Sequence, residues 1–390
     1  MSQSSASASA SVSAAAADDP LMERAVWLAC AGPFARLPSI GTQVYYFPRG
    51  HADQCRGATL PHLPHDAAVL CTVNSIELRY HQESDAPYAL ISLQPGQQGG
   101  PAQPPAPAAP DHEGRAALGL EYYVKHLTGT REDRAPFVVP KPCAVALFPP
   151  LVGPSQELHM VDVHGKPLSF SRSISDKGSN RLTTNWIDYF RDKKLKMGEG
   201  KDGVIFMRRA QGQGGLIIAS RRGEPSSELA LGLVNNFQVV EIARAVSADL
   251  SFTVAYYPRQ GWPFVVPRKE VDDALQLHWQ PGMRVRMPVP EDDHELQSSK
   301  DRSKTPPFYL GVIDVVNDTH WCKLQVNWVG NYTPDRNVNV WQVEAMDAVE
   351  PSSNAPSSAL ATGSSDAPPS SSAPTGSITL FGKTLKTGEP

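Results

Sequence analysis

Apolar and polar positions change rhythm several times along this chain. Residues 21–31 place apolar side chains at helix spacing, whereas 43–47, 69–79 and 88–93 alternate and are rich in β-branched and aromatic residues, which predicts strands. Three short strands bury little apolar area, so this first stretch is expected to complete its core against a later segment. From Tyr122 onward short alternating runs recur at 137–140, 158–162, 167–171, 204–208 and 216–220. Two helix-spaced pieces, 141–147 and 186–191, interrupt them, and Pro149-Pro150 stops the first. An open β-barrel with helices plugging its ends fits that alternation.

A third block starts with a helical run over 228–248, where Leu229, Leu233, Phe237, Val240, Ile242 and Val246 fall at helix spacing. Strands are then predicted at 252–257, 264–266, 283–287, 308–316, 323–328 and 338–343, enough for a small, strongly bent sheet. Between the blocks, 96–117 is Gln, Gly, Pro and Ala, while 1–19 and 351–377 are mostly Ser, Ala and Pro. Such segments cannot bury enough apolar surface to order themselves and are read as a linker and two tails.

Composition sets bounds on this picture. With 41% hydrophobic and 8% aromatic residues in 390, two or three globular cores can be built. The five cysteines, Cys30, Cys55, Cys71, Cys143 and Cys322, are odd in number and sit among apolar residues, which predicts reduced thiols rather than a disulfide framework. There is no 18-residue apolar run and no basic, Leu-rich start, so neither a membrane span nor a secretory signal is expected. Net charge is only −4, yet residues 121–224 hold 17 Lys and Arg against 11 Asp and Glu. A basic module is embedded in an acidic chain.

Motifs for catalysis are missing from the sequence. His51, Cys55, His62 and His65 are four potential zinc ligands, but H-x3-C-x6-H-x2-H matches no common structural site, so no metal is expected. Gly212 to Gly215 lies between two predicted strands with no helix after it, the setting of a hairpin turn rather than a phosphate loop. No nucleophile elbow, P-loop or H-E-x-x-H occurs. No enzyme activity, cofactor or small-molecule substrate is expected. Lys125, Arg131, Arg134, Lys177, Arg181, Lys193, Lys194 and Lys196 instead fall in predicted loops, with Thr183, Thr184 and Asn185 among them. Loop cations that fix a phosphate register, beside amides that read base edges, suit a DNA groove. A merely solvated set of loops fits the composition equally well.

Certain runs resemble a known family. Trp27-Leu28-Ala29-Cys30-Ala31-Gly32, followed by Tyr45-Tyr46-Phe47-Pro48-Arg49-Gly50-His51, is similar to the W-H-A-C-A-G and Y-F-P-Q-G-H signatures of plant auxin response factors. Phe137-Val138-Val139-Pro140, Val161-Asp162-Val163-His164-Gly165, Leu182-Thr183-Thr184-Asn185-Trp186 and Lys193-Lys194-Leu195 resemble the family's B-three DNA-binding domain. Residues 252–259 and 279–287 look like its next block. The wording around Val139-Pro140 and Leu380-Phe381-Gly382-Lys383 looks most like the repressor-type clade.

The resemblance implies a mixed, mainly β fold. A DNA-binding pseudobarrel, seven-stranded with short helices, is inserted in an α+β dimerisation domain and followed by a small Tudor-like β-barrel. The implied boundaries are a tail at 1–19, dimerisation domain at 20–95, linker at 96–118, DNA-binding domain at 119–225, dimerisation domain again at 226–280, ancillary domain at 281–348 and a tail at 349–390. DNA contacts are expected from Lys125, His126, Thr128, Arg134, Arg172, Lys177, Arg181, Thr183, Thr184, Asn185, Lys193 and Lys194. A dimer interface is expected at Phe237, Val240, Glu241, Arg244 and Ala245, the other reading being a helix buried in its own subunit.

The reading loops depart from the family pattern. R-G-x-P-R-R-H-L-L-T-T-G-W, whose arginines read the TGTC core of the auxin response element, is replaced by Ser173-Ile174-Ser175-Asp176-Lys177-Gly178-Ser179-Asn180-Arg181 before Leu182. H-G-G-F-S-V is replaced by Arg134-Ala135-Pro136-Phe137-Val138-Val139. The expected function is a nuclear, dimeric, repressive transcription factor of the auxin response. Its expected partners are double-stranded DNA, a second copy or another auxin response factor, and a corepressor at the C-terminal tail. Pairing with Aux/IAA proteins is not expected from that tail. The alternative is an interaction protein of the same family that has lost specific DNA binding.

Overall fold

The computed structural model describes residues 19–32, 35–54, 67–81, 84–96, 119–127, 129, 132–134, 136–198, 202–209, 215–223, 242, 244–246, 248–258, 263–288, 308–330, 334–346, 378–380 and 383–385. The first stretch contains α1 (Arg24–Ala31), β1 (Gln43–Tyr46), α2 (Pro48–Gln54), β2 (Val69–His81) and β3 (Ala86–Pro95). Its sheet is completed from far along the chain by β11 (Phe252–Tyr256) and β12 (Val265–Pro267), in the order β11-β3-β2-β1-β12. Val254 lies opposite Ile91, and Tyr45 opposite Val266. The orphan strands expected from the sequence thus find their partners. α5 (Arg268–Leu275) follows β12 and packs back on β1, with Asp272 accepting from the Tyr45 hydroxyl at 3.0 Å.

Between β3 and β11 sits a seven-stranded sheet, β4-β9-β10-β6-β7-β8-β5. Its strands are β4 (Leu120–His126), β5 (Phe137–Val139), β6 (Ser155–Asp162), β7 (Pro167–Ile174), β8 (Asn180–Leu182), β9 (Gly203–Arg209) and β10 (Leu216–Arg221). Only β10 and β6 run parallel. The sheet curls round Phe170, Leu182, Trp186, Val204, Phe206 and Ile218, all essentially buried, while α3 (Lys141–Leu147) and α4 (Trp186–Asp192) fill the ends. This is the inserted pseudobarrel. Phe137 and Trp186 stack with centroids 3.7 Å apart and lock α4 onto β5.

α1 shows why a helix apolar all round is needed here. Trp27 and Ala31 enter the core of the flanking sheet, whereas Ala25, Val26, Ala29 and Cys30 pack on Val124, Ile205, Met207 and Ala219 of the barrel. Burial pushes the Cys30 thiol up to about 12, so it is an inert apolar filler. Gly32 ends the helix at φ +87°, a conformation open to glycine.

The third sheet is five-stranded, β16-β15-β14-β13-β17, of β13 (Arg284–Pro288), β14 (Phe308–Val316), β15 (Leu324–Trp328), β16 (Asn337–Val338) and β17 (Glu344–Ala345). This is the small, bent Tudor-like sheet. A single strand expected over 338–343 is instead β16, a turn of 3-10 helix (Val340–Gln342) and β17. Asn339 and Gln342 cap that turn reciprocally, which outcompetes the β-propensity of the valines. Trp321 and Trp341 lie against Phe47, whose ring stacks on Trp341 at 4.8 Å, and the Trp321 indole N–H reaches Asp53 Oδ2 at 3.0 Å. Gly50 of α2 makes this possible, since a Cβ there would sit 2.4 Å from the Trp321 ring. His51 stacks on Phe264 and bonds through Nδ1 to the Tyr46 hydroxyl, 2.9 Å away. The second unit, 348–390, contributes a short ladder of β18 (Ile378–Leu380) and β19 (Lys383–Leu385).

Candidate nucleic-acid interface

β5 and β8 form a pair only three residues long, Phe137 opposite Leu182 and Val139 opposite Asn180. Because the pair is antiparallel, the loop leading into β5 and the turn leading into β8 emerge at opposite ends, about 7–10 Å apart at 3.3–3.4 Å per residue. Two loops therefore bracket one short ladder. The first carries Arg134, whose side chain is exposed; the second carries Lys177, exposed at the tip of the Asp176-Lys177-Gly178 turn. Trp186 Nε1 donates to the Glu132 carbonyl at 2.8 Å and so fastens the first loop to α4. Lys125, at the end of β4, pairs with Glu132 at 2.5 Å, so its charge supports the loop rather than standing free.

Strand parity sorts the remaining candidates. Cross-strand partners share a face, so Val138, Arg181, Ser173 and Ser155 form an outward row, whereas Phe137, Leu182, Arg172 and Gln156 form the next row, directed inward. Arg172 is accordingly buried. Its Nε and Nη2 both donate to Asn180 Oδ1, at 3.1 and 2.8 Å, and its Nη1 donates to the Pro149 carbonyl at 2.6 Å. Arg172, expected among the DNA contacts, shares the parity of buried Phe170 and braces the barrel from inside. Thr183 donates to the Ser171 carbonyl at 3.3 Å, and Thr184 is exposed. Asn185 is exposed, in the left-handed region at φ +62°, its amide anchored on the Ser169 carbonyl at 2.8 Å. His126 is half-buried at the end of β4.

Lys193 and Lys194 follow α4 and part ways. Lys194 is exposed at φ +47°. Lys193 is drawn between Asp85 Oδ1, 3.0 Å, and Asp162 Oδ2, 3.3 Å, with His164 Nε2 also on Asp85 at 2.9 Å. Asp85 is the tip of the β2–β3 hairpin, so Lys193 joins the barrel to the flanking sheet. Burial alone would raise the Asp85 carboxyl, but the His164 hydrogen bond and the Lys193 charge outweigh it and hold it below its ordinary value. Arg222 completes the junction through the carbonyls of Ser84, Lys193 and Lys194 and the Asp202 carboxylate. Sequence reasoning missed Asp85 and Arg222, which no local pattern marks, and met Asp162 only as part of a family-like run.

Of the expected dimer residues, Arg244 is exposed and helical, while Ala245 lies with Ile242 in the core of its own subunit. Phe237, Val240 and Glu241 lie outside the described residues, as do Thr128, Arg131, Cys55, His62 and His65. Burial pushes the His51 imidazole down to about 3, so it is a neutral packing group. Among the described residues no cluster of metal-ligating side chains occurs, and no helix is long and apolar enough to cross a membrane.

Comparison with known proteins adds a consistent set of relatives. The chain is 34% identical over 349 residues to "Auxin response factor 13" of Oryza sativa subsp. japonica, covering 84% of this chain and 64% of that protein. It is 31% identical over 392 residues to "Auxin response factor 8" of the same organism, covering 86% and 55%. A third relative, "Auxin response factor 6" of Oryza sativa subsp. indica, is 28% identical over 364 residues, covering 85% and 38%. The chain thus spans between about a third and two thirds of the length of these curated relatives. No family model matches it.

Proposed function

Since the chain belongs to the auxin response factor family, we propose that it is a nuclear transcription factor of the auxin response that binds double-stranded DNA as a dimer and represses transcription. One observation carries this reading: two loops bracket the β5–β8 ladder and each presents an exposed cation beside an acidic neighbour, Arg134 next to Asp133 on one and Lys177 next to Asp176 on the other. Exposed Thr184 and Asn185, which follow β8 directly, extend the same region with donors suited to phosphates and base edges. Dimerisation would use the flanking sheet, its partner meeting the Arg244 side of the helical segment because Ala245 faces its own core.

A second reading, an interaction protein that has lost specific DNA binding, is favoured by the small and acidic residues in the β7–β8 turn and by the withdrawal of Arg172 and Lys193 into internal bonds. A gel shift with a duplex containing TGTC, against a scrambled duplex at several salt concentrations, separates the two. Binding to either duplex that weakens with salt supports the first reading. No binding to either, with a dimer by light scattering, supports the second.

A further inference from the structure

Cations in and around the barrel are mostly engaged. Arg172 holds Asn180, Lys193 holds Asp85 and Asp162, Arg208 donates to the Leu147 carbonyl, Arg209 pairs with Glu23, and Arg222 with Asp202. Arg181 differs. It is half-buried on β8, its Nε is shielded from solvent without an acceptor, and no described residue gives its guanidinium a partner. Burying part of a guanidinium without an acceptor is unfavourable, and an external anion would relieve it.

The surroundings state which anion. Arg181 projects on the outward face between Val138 of β5 and Ser173 of β7. Along β7 the outward side chains are Ser169, Ser171 and Ser173, all half-buried, so a shallow strip of hydroxyls runs beside Arg181 and Thr183. On this face Glu157 of β6 lies opposite Ser171 and accepts from the Ser169 hydroxyl, whereas Ser173, beside Arg181, faces Ser155. One planar guanidinium beside short hydroxyls recognises a tetrahedral phosphate. The strip is also level with the ladder bracketed by the loops that carry Arg134 and Lys177.

We infer that Arg181, with the Ser173 and Ser171 hydroxyls, forms a phosphodiester-binding subsite on the outward face of β7 and β8. The inference deepens the DNA-binding reading and rests on it. The subsite holds the backbone and reads no base, so its contribution is the same for every duplex sequence.

The test measures binding of the full chain to a TGTC duplex and a scrambled duplex over a range of salt. Arg181→Ala is expected to weaken both equally and to lower the slope of log affinity against log salt by about 0.9, one phosphate contact. Arg181→Lys should keep the slope. Ser173→Glu, which leaves the arginine in place but gives it an internal carboxylate, should reproduce the loss of slope even if the alanine variant folds poorly. An unchanged slope in folded Arg181→Ala overturns the subsite, as does a loss confined to one base position, which would make Arg181 a base reader. Failure of the unmutated chain to bind either duplex overturns the DNA-binding reading itself.

Discussion

Lys193 and Asp85 stand 108 residues apart in sequence and meet with Nζ 3.0 Å from Oδ1, joining the barrel to the tip of the flanking hairpin. Asp85→Asn leaves Lys193 with Asp162 alone and should cost about 3 kcal/mol, near the low end for removing one partner of a buried pair. The pH dependence follows from the lowered carboxyl. Asp85 contributes stability that is complete above the unfolded carboxylate value of about 4 and is lost as pH falls through its lower folded value. Urea midpoints between pH 2 and 6 should fall steeply on acidification, and less so in Asp85→Asn. Equal acid sensitivity of both proteins would count against the junction.

His51 gives a second, separate pH dependence. Its folded value near 3 lies below the unfolded value of 6.5, so unfolding takes up a proton between those limits and stability decreases as pH falls through the window. The slope is about 1.4 kcal/mol per pH unit, or about 2 kcal/mol between pH 6.5 and 5. His51→Phe, which keeps a ring against Phe264, should flatten this slope. Denaturant unfolding from pH 5 to 7.5 measures it.

Gly50→Ala should cost about 1–3 kcal/mol, because the added Cβ collides with the indole of Trp321 rather than with a flexible chain end. Trp321→Phe removes the atoms concerned. The double variant should therefore lose less than the sum of the two single ones, a coupling read from thermal melts. Strict additivity would refute the contact.

Arg172 and Lys177, five residues apart, should behave oppositely. Arg172→Met orphans the Asn180 and Pro149 acceptors and is expected to cost about 1–3 kcal/mol of stability while leaving the salt slope of DNA binding intact. Lys177→Ala should change stability by less than about 0.5 kcal/mol and lower that slope by about 0.9.

Selection on random DNA should return a weak TGTC consensus. Each bidentate arginine contact contributes about 1–3 kcal/mol of discrimination, and the β7–β8 turn holds Ser175, Asp176 and Ser179 where the family carries its readers. A strong TGTC consensus would mean that other side chains do the reading.

Much of this architecture was legible because its signals are local. Lys141–Leu147 and Phe308–Val316 match their patterns to the residue, since each is a clean periodic run with a stop. β8 was not legible: three residues after a Ser/Gly turn carry no periodic signal. α2 and α5 were missed as well, one opening on a proline and the other highly charged. The misplacing of Arg172 had a detectable remedy, because ending the strand at 171 hid that it follows buried Phe170 by two positions. The Asp85 junction had none. Its members come from four separate turns, and only the folded chain brings them together.

The insertion has a consequence for synthesis of the chain. β3 bonds to β11, Leu93 opposite Phe252, so the edge of β3 stays without its neighbour until residue 252 has left the ribosome. At about 5–20 residues per second, the delay from Pro95 to Phe252 is on the order of ten to thirty seconds. The barrel is translated whole within that interval. A nascent chain therefore carries a finished inner domain beside a sheet whose two edges, β3 and β1, still lack β11 and β12, and it is at those edges that a chaperone would be needed and a ribosomal pause would do most harm.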